Sequence, residues 1–164
     1  GHLNIGMIKF PIGTKGYQID SLARYSLWEN GIDFNHGTGH GVGSFLNVHE
    51  GPQSISKTYN NVELQEGMIV SNEPGFYKNG EYGIRIENLV LVKKSKTKNF
   101  LEFETLTMFP YEKNLIDKEM LNTQQKQWIN NYHQSIYKNI SPHLKSEEKV
   151  WLREKSFQFN LSHQ

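Results

Sequence analysis

Two alternating runs joined by a short lysine-rich stretch constrain the fold of this chain most strongly. In residues 83–92 apolar and polar side chains divide between two faces, with Ile84, Ile86, Asn88, Val90 and Val92 on one and Arg85, Glu87, Leu89 and Leu91 on the other. Residues 100–108 alternate in the same way, with Leu101, Phe103 and Thr105 against Glu102, Glu104 and Leu106. A period of two predicts strands. The polar residues 93–99 between them predict a solvated hairpin turn, in preference to a nucleic-acid patch.

Two further elements precede this hairpin. A helix is predicted from about Thr14 to Asn30, with Gly31 as its stop and one buried stripe. That stripe consists of Ile19, Leu22, Ala23, Ser26 and Leu27. Residues 68–72 predict a buried strand that ends where Glu73 is followed by Pro74 and Gly75, because proline and glycine interrupt a ladder. Glu73 is therefore expected at a strand end.

The pattern changes to a helical one after Thr123. One apolar stripe comprises Trp128, Ile129, Tyr132, Ile136 and Ile140, and a second helical stretch over residues 147–157, after Pro142, carries Val150, Trp151 and Phe157. Such stripes usually pack against other elements. We expect the helices to dock on the sheet, which gives an α+β fold with one antiparallel-rich sheet covered by helices.

Composition excludes several classes of protein. The 164 residues include no cysteine, so any metal must be held by histidine and carboxylate side chains. Eighteen basic against seventeen acidic residues leave a net charge of +1, which disfavours nucleic acid as a partner. No apolar run approaches the roughly 20 residues of a membrane span, so we expect no membrane partner and a cytoplasmic location. The chain starts at Gly1-His2 without methionine, and we expect that an upstream part is missing.

Five side chains are candidates for metal-assisted chemistry. His36, His40 and His49 fall within fourteen residues and are followed by Glu73 and Glu87, which are the residue types needed for metal-assisted hydrolysis. Their spacing matches no short zinc motif. Two simpler readings stay open. Each histidine could be structural, and Glu87, on an otherwise apolar strand, could be neutralised by Arg85 instead of a metal ion.

Four motifs together resemble the C-terminal part of an X-Pro aminopeptidase (aminopeptidase P). They are HGTGHGVG at 36–43, NVHEGP at 47–52, NEPGFY at 72–77 and GIRIEN at 83–88. This family belongs to the M24 peptidases, which have the pita-bread fold. Residues 101–110 and 128–133 also resemble the tail of the long cytosolic aminopeptidases P. The resemblance therefore divides the chain into the C-terminal part of a catalytic domain, residues 1–110, and a helical C-terminal extension, residues 111–164.

The resemblance implies a site for two divalent metal ions, manganese foremost and zinc or cobalt as alternatives. His40, Glu73 and Glu87 match three of the five ligands, with Glu87 bridging both ions. Glu73 would in addition act as general base on the attacking water. The other two ligands are aspartates that lie upstream in the family and are absent from this chain. Asp20 and Asp33 do not stand in matching positions.

The resemblance also implies the substrate and its contacts. His36 and His49 match histidines that bind the substrate and stabilise the tetrahedral intermediate, and Arg85 and Tyr77 match residues that orient the ligands. The implied reaction removes the N-terminal residue from peptides with proline in second position.

Other functions remain open at this stage. A prolidase shares the ligands but requires a free dipeptide carboxylate, and methionine aminopeptidase fits the histidine segment less well. A different class is a non-catalytic remnant of the same fold that serves as an interaction or dimerisation module through the helices of Trp128 and Trp151. The implied protein partners are a second copy of the chain or a complementing upstream polypeptide.

Overall fold

A computed structural model describes residues 1–45 and 47–161, which form two compact units. The first unit, Gly1–Thr107, contains two helices and eight strands. The helices are α1 (His2–Met7) and α2 (Gly16–Trp28). The strands are β1 (Lys9–Pro11), β2 (Gly39–His40), β3 (Ser54–Ile55), β4 (Ile69–Asn72), β5 (Gly75–Lys78), β6 (Tyr82–Arg85), β7 (Asn88–Lys94) and β8 (Phe100–Thr105). The second unit begins at Met108 and contains α3 (Thr123–Ile140) and α4 (Ser146–Lys155).

The main sheet has the strand order β1-β8-β7-β4, and every neighbouring pair is antiparallel. The predicted hairpin is confirmed, because β7 pairs with β8 and Val92 lies opposite Phe103. The basic stretch forms its turn, where Asn99 adopts a positive φ of 63°. Buried apolar side chains of these strands pack with those of α1 and α2 into one core. Its largest fully buried members are Phe10, Ile5, Ile55, Leu64 and Val70.

The prediction of one continuous strand over residues 83–92 is wrong. The run is divided into β6 and β7, which belong to different sheets: β6 pairs with β5, whereas β7 pairs with β4 and β8. Pro74 explains the break, because it has no N–H to donate to the ladder. Ile84 and Ile86, predicted on the same face as Val90 and Val92, are 40% and 39% exposed.

Helix α2 lies within the predicted range, but its buried face differs from the predicted stripe. Leu22 and Ser26 are exposed, whereas Asp20 and Arg24 are buried beside Ala23. The two charged side chains can be buried because they form an ion pair, with 2.7 Å between Arg24 Nε and Asp20 Oδ2. Because this ion pair is buried, the face of α2 that points into the protein includes Asp20 and Arg24 and excludes Leu22 and Ser26.

The second unit has its own apolar cluster. Helix α3 begins with a capping box in which Asn122 and Gln125 bond each other's backbone, and its stripe contributes Tyr132 and Ile136 to the cluster. Helix α4 contributes Leu152. Two predicted packing residues of this helix are instead exposed, Val150 by 59% and Trp151 by 47%. Because α4 has only ten residues, a narrow stripe of its side chains faces the apolar cluster, and Leu152 lies on that stripe.

Among the described residues, no helix combines the length and the apolarity needed to span a bilayer.

Candidate metal centre

Three side chains converge at the end of β2 and at the two short segments that separate β4 from β5 and β6 from β7. His40, Glu73 and Glu87 each offer one ligand atom, and these three atoms lie within 4.8 Å of one another. His40 is half-buried, Glu73 is buried and Glu87 is exposed. The prediction that Glu87 lies on a strand is wrong, because the residue lies at the break between β6 and β7.

The two glutamates are brought together by the register of the strands on either side. Asn72 pairs with Asn88 on one side of the break, and Gly75 pairs with Arg85 on the other. Both ladders keep one register, so Glu73 faces Glu87 across the interruption. The backbone N–H of Glu73 leaves the main ladder and donates to Thr38 O at 2.8 Å.

His40 reaches the glutamates because β2 runs close beside β4. A Cβ atom on Gly39 would overlap the carbonyl oxygen of Ser71, so glycine is required at this approach. The backbone N–H of His40 donates to Ser71 Oγ at 3.0 Å. The same hydroxyl donates to Glu73 Oε1 at 2.8 Å, so one serine links the two candidate ligands.

The donor set fits a divalent cation. His40 Nδ1 donates to the carbonyl oxygen of Gly41 at 2.8 Å, so the lone pair of the neutral ring lies on Nε2. That nitrogen lies 3.0 Å from Glu73 Oε1, which is also an acceptor. Two acceptors this close need a cation between or beside them, either a proton or a metal ion. Imidazole nitrogen with carboxylate oxygen suits manganese, cobalt or zinc.

A chain of polar contacts connects Glu73 to His36. Arg85 Nη1 pairs with Glu73 Oε2 at 3.2 Å, so the direct ion pair of the arginine is with Glu73, while Glu87 interacts with it at longer range. Arg85 Nε donates to the Tyr77 hydroxyl at 2.8 Å, and this hydrogen bond raises the pKa of the guanidinium. His36 Nδ1 donates to Gly37 O at 2.8 Å, so Nε2 accepts from the Tyr77 hydroxyl at 2.7 Å.

His49 lies on the open side of the site. Its ring is exposed, and its centroid is 4.2 Å from that of His40. The structure thus brings together all seven residues singled out from the sequence, either as ligand atoms or through the contacts above. These are His36, His40, His49, Glu73, Tyr77, Arg85 and Glu87.

Sequence reasoning missed Arg24. This side chain is fully buried and binds Asp20 and Asp33 together with the carbonyl oxygens of Phe34 and His36. The hydrogen bond from Arg24 lowers the pKa of Asp33, although desolvation works in the opposite direction. The available signal was the spacing of Asp20 and Arg24, four residues apart on one helix.

Sequence reasoning also missed His2. Its Nδ1 donates to Asn72 O at 3.1 Å, and Asn88 Nδ2 lies 3.3 Å from its Nε2. Burial lowers the pKa of His2 to about 4. His2 thus touches the residue before Glu73 and the residue after Glu87. No local pattern could have indicated this, because seventy residues separate His2 from Asn72.

Family models match nearly the whole chain. Residues 2–94 match the model described as metallopeptidase family M24, and residues 99–158 match the C-terminal region of peptidase M24. The chain therefore belongs to metallopeptidase family M24 and has its pita-bread fold.

Individual relatives agree with this assignment. A probable Xaa-Pro aminopeptidase P from Coprinopsis cinerea is 52% identical, with 93% of this chain and 26% of that protein covered. Aminopeptidase P2 of Arabidopsis thaliana is 48% identical, with 93% and 22% covered. The chain spans about a quarter of the length of these relatives.

Solved structures give the same result. The crystal structure of X-prolyl aminopeptidase from Caenorhabditis elegans, described as a cytosolic enzyme with a di-nuclear active site, matches with a TM-score of 0.92 and 41% identity. That match covers 96% of this chain and 27% of the other. An Xaa-Pro dipeptidase from Bacillus anthracis matches with a TM-score of 0.55 and 33% identity, over 68% of this chain and 29% of the other.

Proposed function

We propose that this chain supplies three metal ligands and the general base of an X-Pro aminopeptidase, which removes the N-terminal residue that precedes proline. The observation that carries this proposal is the convergence of His40, Glu73 and Glu87 within 4.8 Å. Two aspartate ligands from outside the chain would complete the site. The whole protein's activity is a proposal because the chain spans only about a quarter of its relatives.

Aminopeptidase is favoured over prolidase by the relatives, since the Coprinopsis cinerea protein that is 52% identical, with 93% of this chain covered, is a probable Xaa-Pro aminopeptidase P. The Caenorhabditis elegans aminopeptidase matches 96% of the chain, whereas the Bacillus anthracis dipeptidase matches 68%. We further propose that residues 1–110 belong to the catalytic domain and residues 111–164 to a helical extension. A cytoplasmic location is proposed by analogy with the cytosolic Caenorhabditis elegans enzyme.

Glu73 is the proposed general base. Its Oε1 is held by Ser71 and its Oε2 by Arg85, so the carboxylate has a fixed orientation at the open site. Divalent cations bound here would polarise the scissile carbonyl and lower the pKa of the attacking water. Glu73 would take the proton from that water and return it to the proline nitrogen as the bond breaks.

His36 and His49 are proposed to contact the substrate. His49 is exposed beside His40 and can donate a hydrogen bond to oxygen at the reacting carbonyl. His36 is oriented by the Tyr77 hydroxyl, which Arg85 holds in turn. Arg85 and Tyr77 are therefore proposed as residues that orient the ligands and the substrate-binding histidine.

Two bound divalent ions are proposed, with manganese first and zinc or cobalt as alternatives. The nitrogen and carboxylate donors of this site are compatible with all three metals. Three ligands from one chain should bind weakly, and the affinity should rise when the two aspartates are added.

Calorimetric titration of Mn²⁺ and Zn²⁺ tests this proposal. Each metal is titrated into the chain alone and into the chain assembled with a separate polypeptide that comprises the upstream part of the Coprinopsis cinerea relative. Cleavage of a Gly-Pro-Ala tripeptide and of a Gly-Pro dipeptide is then measured. We expect tighter binding after assembly and cleavage of the tripeptide.

Single substitutions make the test specific to the site. Glu73→Gln and Glu87→Gln should each weaken binding by at least about tenfold. Glu81→Gln is the matched control, because Glu81 lies on the same hairpin but pairs with Lys78 away from the site. Normal metal binding without tripeptide cleavage would contradict the aminopeptidase. Cleavage of the dipeptide alone would indicate a prolidase, and no metal binding by the assembled protein would favour a non-catalytic module.

A further inference from the structure

We propose that Arg24, a fully buried arginine behind the site, is a positioning residue for His36. The inference rests on the proposed function only in treating His36 as a substrate-binding residue. Arg24 lies on α2 and binds the chain segment 33–38 that leads into β2 and His40. Its contacts are made to the backbone and to buried or half-exposed carboxylates.

The guanidinium binds four accepting groups, two carboxylates and two backbone carbonyls. Its Nε is 2.7 Å from Asp20 Oδ2, and its Nη1 donates to Asp33 Oδ1 at 2.7 Å and to Phe34 O at 2.6 Å. Its Nη2 donates to His36 O at 2.9 Å. The guanidinium carbon also lies 3.8 Å from the centroid of the Phe34 ring. Only a planar fork with several donors can reach all of these acceptors together.

A second tether fixes the same segment to α2. Thr38 Oγ1 donates to Asp20 Oδ1 at 2.6 Å, so Asp20 accepts from both Arg24 and Thr38. Thr38 O in turn accepts the backbone N–H of Glu73. The buried cluster on α2 thus holds the segment at both ends, and this segment carries His36 and continues directly into His40.

The position of the His36 backbone determines where its ring can lie. Arg24 holds the carbonyl group of His36 from inside, while the ring accepts a hydrogen bond from Tyr77 on the outside. The ring also packs against Phe34, with centroids 4.8 Å apart. Loss of the Arg24 guanidinium would remove the donors to the carbonyl oxygens of Phe34 and His36 together. The His36 ring would then no longer have one fixed position relative to Tyr77.

Imidazole NMR of the full chain tests the proposal without an activity assay. Long-range proton–nitrogen correlations report which ring nitrogen carries the proton. Arg24→Lys keeps the charge but cannot bind four acceptors. We expect this variant to change the His36 signals from a single Nδ1–H tautomer to a mixture. His133, in the second unit, bonds Phe157 O through its own Nδ1 and should keep its signals.

Matched variants separate positioning from stability. Asp33→Asn and Thr38→Val remove one tether each and keep the buried Arg24–Asp20 pair, so they remain informative if Arg24→Lys does not fold. Both should change the His36 signals in the same direction. Lys57→Ala is the control, since its ammonium group lies 3.9 Å from the Asp33 carboxylate, at the exposed edge of the cluster.

The outcomes have distinct meanings. Changed His36 signals in folded variants, with unchanged His133 signals, support the positioning role. Lower thermal stability with unchanged His36 signals would overturn it and leave Arg24 a purely structural residue. Mn²⁺ titration of the same variants tests the proposed function separately, because the NMR result does not depend on whether the wild-type chain binds metal.

Discussion

Arg85 and Glu73 form an ion pair between β6 and the residue that follows β4, with 3.2 Å between Nη1 and Oε2. The two partners have different environments, since the Glu73 side chain is 8% exposed and the Arg85 side chain 43% exposed. The buried carboxylate thus has a cationic partner that is open to solvent on its other side. The Nε of Arg85 donates to the Tyr77 hydroxyl, so this pair is the inner end of the contact chain to His36.

The first prediction concerns Tyr77→Phe, which removes the hydroxyl between Arg85 and His36. The ring packing on His36 is retained, so the free energy of unfolding should fall by only about 1 kcal/mol. His36 loses the donor to its Nε2, and its imidazole NMR signals should change. Urea denaturation and imidazole NMR measure the two effects. Tyr82→Phe is the control on the same hairpin, because this exposed side chain packs near Phe76, and unchanged His36 signals in Tyr77→Phe would contradict the prediction.

The second prediction concerns Ser71→Ala. Ser71 is fully buried, and its hydroxyl accepts from the His40 backbone and donates to Glu73. The substitution leaves a buried N–H and a buried carboxylate oxygen without this partner, so the free energy of unfolding should fall by about 1–3 kcal/mol. Urea denaturation at neutral pH measures the loss.

A half-buried serine provides the comparison for Ser71. Ser95 Oγ donates to Glu102 Oε2 and accepts from the backbone N–H of Thr97 at the hairpin turn, where water can replace the lost hydrogen bonds. Ser95→Ala should therefore cost well under about 1 kcal/mol. Equal losses of unfolding free energy in the two variants would contradict the prediction that the buried Ser71 hydroxyl stabilises the fold more than the Ser95 hydroxyl does.

The third prediction concerns Gly39→Ala. The added Cβ would overlap the Ser71 carbonyl oxygen, and this atom belongs to the backbone of β4, which cannot move aside easily. We expect a loss of at least about 3 kcal/mol in the free energy of unfolding, the upper end for overpacking. Gly37→Ala is the matched control two residues away, because its nearest contact would be 3.4 Å from Ile55 O. Differential scanning calorimetry compares the two, and similar unfolding temperatures would disprove the close approach of β2 to β4.

The fourth prediction concerns acid stability. The pKa of His2 is lowered by burial to about 4 in the folded chain, whereas in the unfolded chain it should be near 6.5. Between these values the unfolded state binds a proton that the folded state does not, so stability falls as the pH decreases. Above pH 6.5 the contribution of His2 to stability does not change with pH. The full loss by pH 4 is on the order of 3 kcal/mol.

Urea denaturation at several pH values between 7 and 4 tests this dependence. His2→Gln removes the titrating group and keeps an amide that can donate to Asn72 O, so its stability should vary less with pH. Burial also lowers the pKa of His133, which therefore adds a dependence of the same sign. His133→Gln should flatten the profile separately. A His2→Gln profile as steep as that of the wild type would contradict the prediction.

The regular elements were predictable where local pattern and tertiary contacts agree. The β7–β8 hairpin and the extents of α2 and α3 follow from periodicity and from stop signals such as Gly31. The break before Asn88 could not be predicted from periodicity, because the alternation of side chains is the same whether or not a strand changes its pairing partner. Pro74, on the other arm, causes that change, and its effect becomes visible only once the register is known.

The residues of the candidate site were predictable by type and by resemblance, but their connections were not. His40, Glu73 and Glu87 could be named as candidate ligands from the sequence. The contact from Tyr77 to His36 depends on the β5–β6 hairpin. This hairpin was not predicted, because most of β6 was assigned to one continuous strand with β7. Arg24 was missed because arginine is usually exposed, and three of its four acceptors lie in a segment without regular structure.

Strands β4 and β5 form one arm of an interrupted hairpin, and β6 and β7 form the other. The register is the same on both sides of the interruption, and it determines which changes in chain length the site can tolerate. Residues added at the tip, around Asn79 and Gly80, would lengthen a solvent-exposed turn and leave Glu73 facing Glu87. One residue inserted between Asn72 and Gly75, or between Arg85 and Asn88, would shift one arm by a single position and turn its carboxylate to the opposite face. Natural length variation in this hairpin should therefore be confined to its tip.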